Sequence, residues 1–223
     1  MNQMNERETR SFFCEVRADQ NEEHGHFITG TPIVFGQETD LGWCREIIDA
    51  GALDGTDLKD VKFLIGHNTS MIPLARSRNN NANSTMQLMP EQHGMDIRVD
   101  LDTENNADSR SLYSATGRGD ISGMSFMFTV DEDAWEDLDT DHPLRHVRHI
   151  KKVFEVSAVA FPAYEGTTMQ ARSEGDTLDS ARASLESARA KLAEERAANE
   201  NAERLRSAVE RLRNYRKETG SNE

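Results

Sequence analysis

From Met95 to Leu101 every second residue is apolar, so Met95, Ile97, Val99 and Leu101 fall on one face of a strand. The same alternation runs through Gly123 to Thr129, where Met124, Phe126 and Phe128 point one way and Ser125, Met127 and Thr129 the other. In the long segment from Leu144 to Ala160, Phe154, Val156, Ala158 and Ala160 share a face opposite Glu155, Ser157 and Val159. Ser11 to Ala18 and Gly25 to Phe35 read as two further strands across a polar turn from Asp19 to Glu23, with Pro32 marking an edge or a bulge. Val61 to Ile65 is a compact apolar strand broken by Gly66-His67-Asn68. Pro73 to Arg78 and Ser84 to Met89 read as a strand pair joined through Asn79-Asn80-Asn81. This succession is that of a meander and not of a crossover fold.

Helical signals are fewer. Cys44 to Ala50 reads as a short helix closed by Gly51, and Leu53 to Asp60 as another. Asp102 or Thr103 can cap a helix from about Glu104 to Thr116, ended by Gly117 and Gly119. The acid-rich run Asp131 to Asp141 predicts a solvated loop, because seven carboxylates in eleven residues repel one another when packed. Toward the C-terminus the chain turns to Ala, Glu, Arg and Leu. Leu178, Leu185 and Leu192 recur every seven residues, Asn199 breaks the series, and the phase slips to Leu205, Val209 and Leu212. One long helix or two shorter ones are expected there, either binding a partner along the apolar stripe or standing as a solvated extension. The chain divides into a polar, mobile segment 1–9, a folded domain 10–173 and a charged helical extension 174–223.

Composition narrows the classes. A net charge of −14 argues against a generic grip on nucleic acid, and most of it precedes residue 173, since acids and bases nearly balance beyond. An apolar content of 36% is low for 223 residues in one compact globule, in keeping with a part outside the core. The two cysteines, Cys14 and Cys44, cannot make a disulfide framework. Neither a signal peptide nor a membrane-length apolar run is read, so a soluble, intracellular protein without a membrane partner is expected.

Candidate chemistry lies where the strand pattern is interrupted by functional groups. A serine hydroxyl is a weak nucleophile and needs a base within hydrogen-bond reach, and an imidazole base needs a group that fixes its tautomer and stabilises its charge. Ser125 sits opposite the aromatic face of its strand, His67 at a strand end where side chains can face a cleft, and Glu155 in an apolar strand where an unpartnered carboxylate is costly. Each also has an ordinary reading, a locally bonded strand serine or a histidine at a turn. The chain order His67, Ser125, Glu155 differs from that of nucleophile-elbow hydrolases, and Met127 stands where Gly-x-Ser-x-Gly has its second glycine. Two other chemistries are open. His142, His146 and His149 with Asp141 resemble metal-ligand spacing, though an exposed basic hairpin arm with Arg145 and Arg148 accounts for them without a metal. Cys44 beside Trp43 is a thiol nucleophile or simply a buried cysteine.

Several blocks together resemble the tailed-phage prohead maturation protease family over roughly residues 10 to 173. They are Gly30 to Phe35, Leu41-Gly42-Trp43 with Gly51-Ala52-Leu53, Ile65-Gly66-His67-Asn68, Gly119 to Phe128, and Glu155 to Tyr164. Asn68 stands where that family often has an acid. The family resembles the herpesvirus capsid assembly proteases, which implies an α+β fold with a small β-barrel surrounded by helices. It implies Ser125 as nucleophile and His67 as base; Glu155, which opens the last block, is the choice for third member. It further implies a serine endopeptidase without cofactor or metal, acting inside the procapsid in the host cytoplasm on coat or scaffold protein and on itself. The sequence assigns no oxyanion donor; on geometry alone, main-chain amides near the bend at Phe161 to Tyr164 or at the Gly123 turn are candidates. The rival reading is a non-catalytic, protease-like assembly module acting through its C-terminal helix.

Overall fold

The computed structural model of the chain describes residues 7–161 and 178–219. Two compact units are present, residues 1–181 and 182–223. In the first, eleven strands among the described residues form two sheets. The larger is built on β10 (Gly123–Glu136) and β11 (Leu144–Val159), antiparallel along nearly their whole length. β1 (Glu8–Phe13) flanks β10 on the outer side. On its other side β11 takes two parallel partners in succession, β5 (Arg45–Ile48) along its first half and β6 (Val61–Ile65) along its second. β4 (Thr39–Asp40) pairs with β5, and β7 (Ala75–Ser77) with β6. The smaller sheet runs β2 (Arg17–Asn21), β3 (Gly25–Val34), β9 (Gly94–Asp100), β8 (Met86–Glu91), all antiparallel. Helix α1 (Ala107–Gly117) packs on β2 and β3.

The core lies between the sheets. Met124, Phe126 and Phe128 on β10 meet Ile28 and Ile33 of β3 and Met95, Ile97 and Val99 of β9 in one buried cluster. Gly30 allows the close approach: a Cβ there would stand 2.7 Å from Met124 Cε. Phe126 stacks on both Phe12 and Phe128, which fixes the face of β10 that turns inward. Ser125 is thereby committed to the opposite face.

The α+β class is as expected, but the two sheets do not close into a barrel. Among the described strands β1 pairs only with β10, and the chain leaves it at Phe13 to start the second sheet instead of continuing around the first. The helix expected at Cys44 to Ala50 is strand β5. Its β-branched Ile47 and Ile48 lie in register with His146 and Val147, and Glu46 and Ile48 alternate inward. Leu53 to Asp60 is not helical: a turn runs to Gly55 and Asp57 makes an isolated parallel bridge to Lys152. β7 pairs with β6 and β8 with β9, so the segments read as one hairpin are distributed between the two sheets. Pro32 does mark a break in register, between Gly30 and Ile33. α1 starts later than expected because Asn106 is its cap, accepting from the amides of Asp108 and Ser109, while Asp102 closes the preceding turn.

Helix α2, Asp179–Thr219, begins in the first unit and accounts for the described residues of the second. It is one continuous helix, with Leu205, Val209 and Leu212 exposed on it. Within unit 1, Ser180 donates to Glu8 Oε1 at 2.6 Å, so the start of α2 is bonded to β1.

Candidate active site

β6 ends against β11 with Ile65 opposite Ala158, and Gly66 N–H donates to the Ala158 carbonyl at 3.0 Å. Gly66 and His67 then both take φ of 58°, a left-handed turn that brings the histidine back over the sheet. A non-glycine residue holds that conformation at a cost of about 1–2 kcal/mol. The His67 main-chain amide is anchored by Ser157 Oγ at 3.0 Å. β10 runs beside β11 with Ser125 opposite Ser157 and Met127 opposite Glu155. One turn and two neighbouring strands thus bring together three residues that are 58 and 88 positions apart in the chain.

The contacts form a continuous line. His67 Nε2 lies 2.6 Å from Ser125 Oγ, and His67 Nδ1 is hydrogen-bonded to Glu155 Oε1. Glu155 Oε2 accepts from Ser157 Oγ at 2.7 Å. The carboxylate therefore has a partner on each oxygen, which is what permits it to stay in an apolar strand at 3% exposure. With Nδ1–H given to the carboxylate, Nε2 offers a lone pair to the serine hydroxyl. Ser125 Oγ also donates to the Arg10 main-chain carbonyl at 2.7 Å. Its one proton thus has two acceptors in reach, the imidazole and β1. Ser125 is fully buried, whereas the His67 side chain keeps 18% of its surface exposed.

The position of β1 is set by buried charge. Arg10 Nε and Nη2 bind Glu46 at 2.5 and 2.7 Å, and Nη2 binds Glu8 at 2.6 Å. Arg145 from β11 joins the same two carboxylates through Nη1 at 2.7 and 3.0 Å and reaches Asp133 through Nε at 2.8 Å. Burial pushes the Glu8 carboxyl up, but the charges of Arg10 and Arg145 and hydrogen bonds from Arg145 and Ser180 outweigh it and hold the group down at about 2. Glu8 and Thr9, expected from sequence in a mobile terminus, are part of β1, and Glu8 belongs to this buried cluster; alternation alone gives no sign that Glu8 and Arg10 point inward.

The chain matches the family model of the caudovirus prohead serine protease over residues 13–180. The chain belongs to that family. It is a serine protease of phage capsid maturation, as the sequence blocks around His67, Ser125 and Glu155 implied. Neither a curated protein nor a solved structure is matched by the chain.

The other candidate chemistries disperse in this prohead protease. His142 faces Asp40, His146 faces Asp49 and Glu136, and His149 is bonded to Asp131 at 2.5 Å, so no two of the three share a carboxylate in these contacts. Among the described residues no group of three or more His, Cys, Asp or Glu side chains is placed to hold a metal ion. Cys44 is fully buried, and burial, with the charge of Glu46 adding to it, pushes its thiol up to about 12, so it carries no thiolate at neutral pH. Of the candidate oxyanion region, Pro162 to Tyr164 lie outside the described residues; Gly123 is drawn into β10, between Phe13 and Val159. The acid run at Asp131 is strand as far as Glu136, because its carboxylates face Arg145, His146 and His149 across β11. No helix among the described residues is long and apolar enough to cross a membrane.

Proposed function

We propose that this prohead protease is a serine endopeptidase of Ser-His-Glu type that cuts coat or scaffold segments, and finally itself, inside the procapsid. The observation that carries the reading is the line Ser125 Oγ, His67 Nε2, His67 Nδ1, Glu155 Oε1, in which nucleophile, base and orienting carboxylate are bonded in that order. Oγ attacks the scissile carbonyl as Nε2 takes its proton; the imidazolium, stabilised by Glu155, then gives that proton to the leaving amine. Water repeats the sequence on the acyl-enzyme and restores Ser125. A substrate carbonyl must reach an oxygen that is fully buried, so binding has to expose Ser125 and turn its hydroxyl proton from the Arg10 main-chain carbonyl to His67 Nε2. The helical extension supplies the address: the apolar positions of Leu205, Val209 and Leu212 tether the protease to coat or scaffold and are shed by self-cleavage.

Intact-mass spectrometry of wild type and Ser125→Ala, each co-expressed with its coat and scaffold proteins, tests the reading. Defined coat, scaffold and self fragments in wild type and none in the variant are expected. Equal cleavage by both would remove Ser125 from the mechanism, and absence of cleavage by wild type in assembled proheads would favour a non-catalytic assembly module.

A further inference from the structure

Ser157 is fully buried on β11, two residues beyond Glu155 and across from Ser125. Its hydroxyl makes two bonds whose polarity is fixed: the His67 amide can only donate, at 3.0 Å, so the hydroxyl's one proton goes to Glu155 Oε2, at 2.7 Å. Each bond acts on a torsion that bears on the contact between His67 and Ser125, the one at Glu155 and the other at the His67 main chain. The terminal torsion of a glutamate is broad and roughly two-fold, so nothing intrinsic to the side chain decides which way its oxygens turn. Holding Oε2 on Ser157 leaves Oε1 facing His67 Nδ1. At the other end, His67 stands at φ 58°, a conformation that non-glycine residues keep only when their surroundings hold it. The Ser157 oxygen holds the amide of that residue.

We propose that Ser157 is the positioning residue of the catalytic line, a single hydroxyl that locks the main chain of the base and the carboxylate that orients it in one relative geometry. It does not touch the reacting atoms. Its effect is carried through Glu155 and His67 to the 2.6 Å contact between Nε2 and Ser125 Oγ. Displacements of the order of 1 Å at such a contact are enough to lower turnover about 100-fold.

The inference rests on the Ser-His-Glu reading, and steady-state kinetics of the full chain on a peptide spanning a mapped coat cleavage site separate the two. Ser157→Ala is expected to lower kcat about 10- to 100-fold with KM within about two-fold of wild type, since a buried donor and acceptor lose their partner while no substrate contact changes. Ser157→Thr, which keeps the hydroxyl, should recover most of the loss, and Ser157→Cys, a weak donor, much less. In a double-mutant cycle the loss from Ser157→Ala should shrink in a Glu155→Gln background, because the part carried by the carboxylate is already gone while the part carried by the His67 amide remains. Losses that multiply in the cycle, a Cys variant as active as the Thr variant, or a Ser157→Ala enzyme with wild-type kcat would overturn the proposal. Should Ser157→Ala fail to fold, the Thr and Cys pair decides alone. A Ser125→Ala protein that retains turnover would instead bring down the reading beneath it.

Discussion

Glu155 has two oxygens, and both are engaged, one by the His67 ring and one by Ser157. Glu155→Gln keeps the shape but can present an amide to Nδ1, favouring the wrong tautomer of the ring. We expect kcat to fall by about 10⁴-fold with little change in KM, measured by peptide hydrolysis. Cys44→Ala should keep that activity near wild type, because the thiol it removes is buried and protonated; a loss comparable to that of Ser125→Ala would reopen thiol chemistry. At this scale the sequence was informative where a functional group broke an apolar pattern. A serine opposite three aromatic-face residues and a carboxylate inside Phe154 to Ala160 both needed explanation, and the two are neighbours on β10 and β11. Ser157 gave no such signal. A small hydroxyl is at home on either face of a strand, and its two partners become visible only when β6 is laid beside β11.

Strands β1, β5 and β11 are held together by Glu8, Arg10, Glu46 and Arg145, all nearly inaccessible to solvent. Removing one member leaves the opposite charge buried without compensation, so Arg145→Met should lower unfolding free energy by about 3–5 kcal/mol in urea titrations. Glu8 adds a pH dependence. Its carboxyl titrates near 2 in the fold against an ordinary 4.5, so its contribution is complete above about pH 4.5 and is lost as pH falls toward 2. The urea midpoint of wild type should therefore drop between pH 5 and pH 2.5 more steeply than that of Glu8→Gln; parallel curves would contradict the assignment. This cluster is also where sequence patterning misled most. Cys44 to Ala50 reads as a helix because Gly51 closes it, whereas Arg45–Ile48 is a strand in which Glu46 meets two arginines from elsewhere in the chain. The acid run from Asp131 was misread for the same reason: repulsion within it is relieved by Arg145, His146 and His149, partners on the next strand that no local window contains.

Ser125, His67 and Glu155, the proposed catalytic line, lie in the unit 1–181, and the exposed stripe of Leu205, Val209 and Leu212 lies in the unit 182–223. A protein ending at Ala190 keeps Ser180 and its bond to Glu8. It should hydrolyse peptide like the full chain yet fail to enter proheads; incorporation at the normal level would sink the tether. The fold class and the existence of a helical extension were legible from period-two and heptad patterns. Barrel closure was not, because it depends on which strand edges meet, and hydrophobic alternation is the same for an edge strand and a paired one.

The most direct test of the central claim is labelling of the protease within assembled proheads by a fluorophosphonate, followed by peptide mapping. The catalytic line predicts one adduct, on Ser125, lost when His67 is changed to Ala. Proheads that mature normally in the presence of the reagent, with Ser125 unmodified or another residue carrying the label, would contradict it.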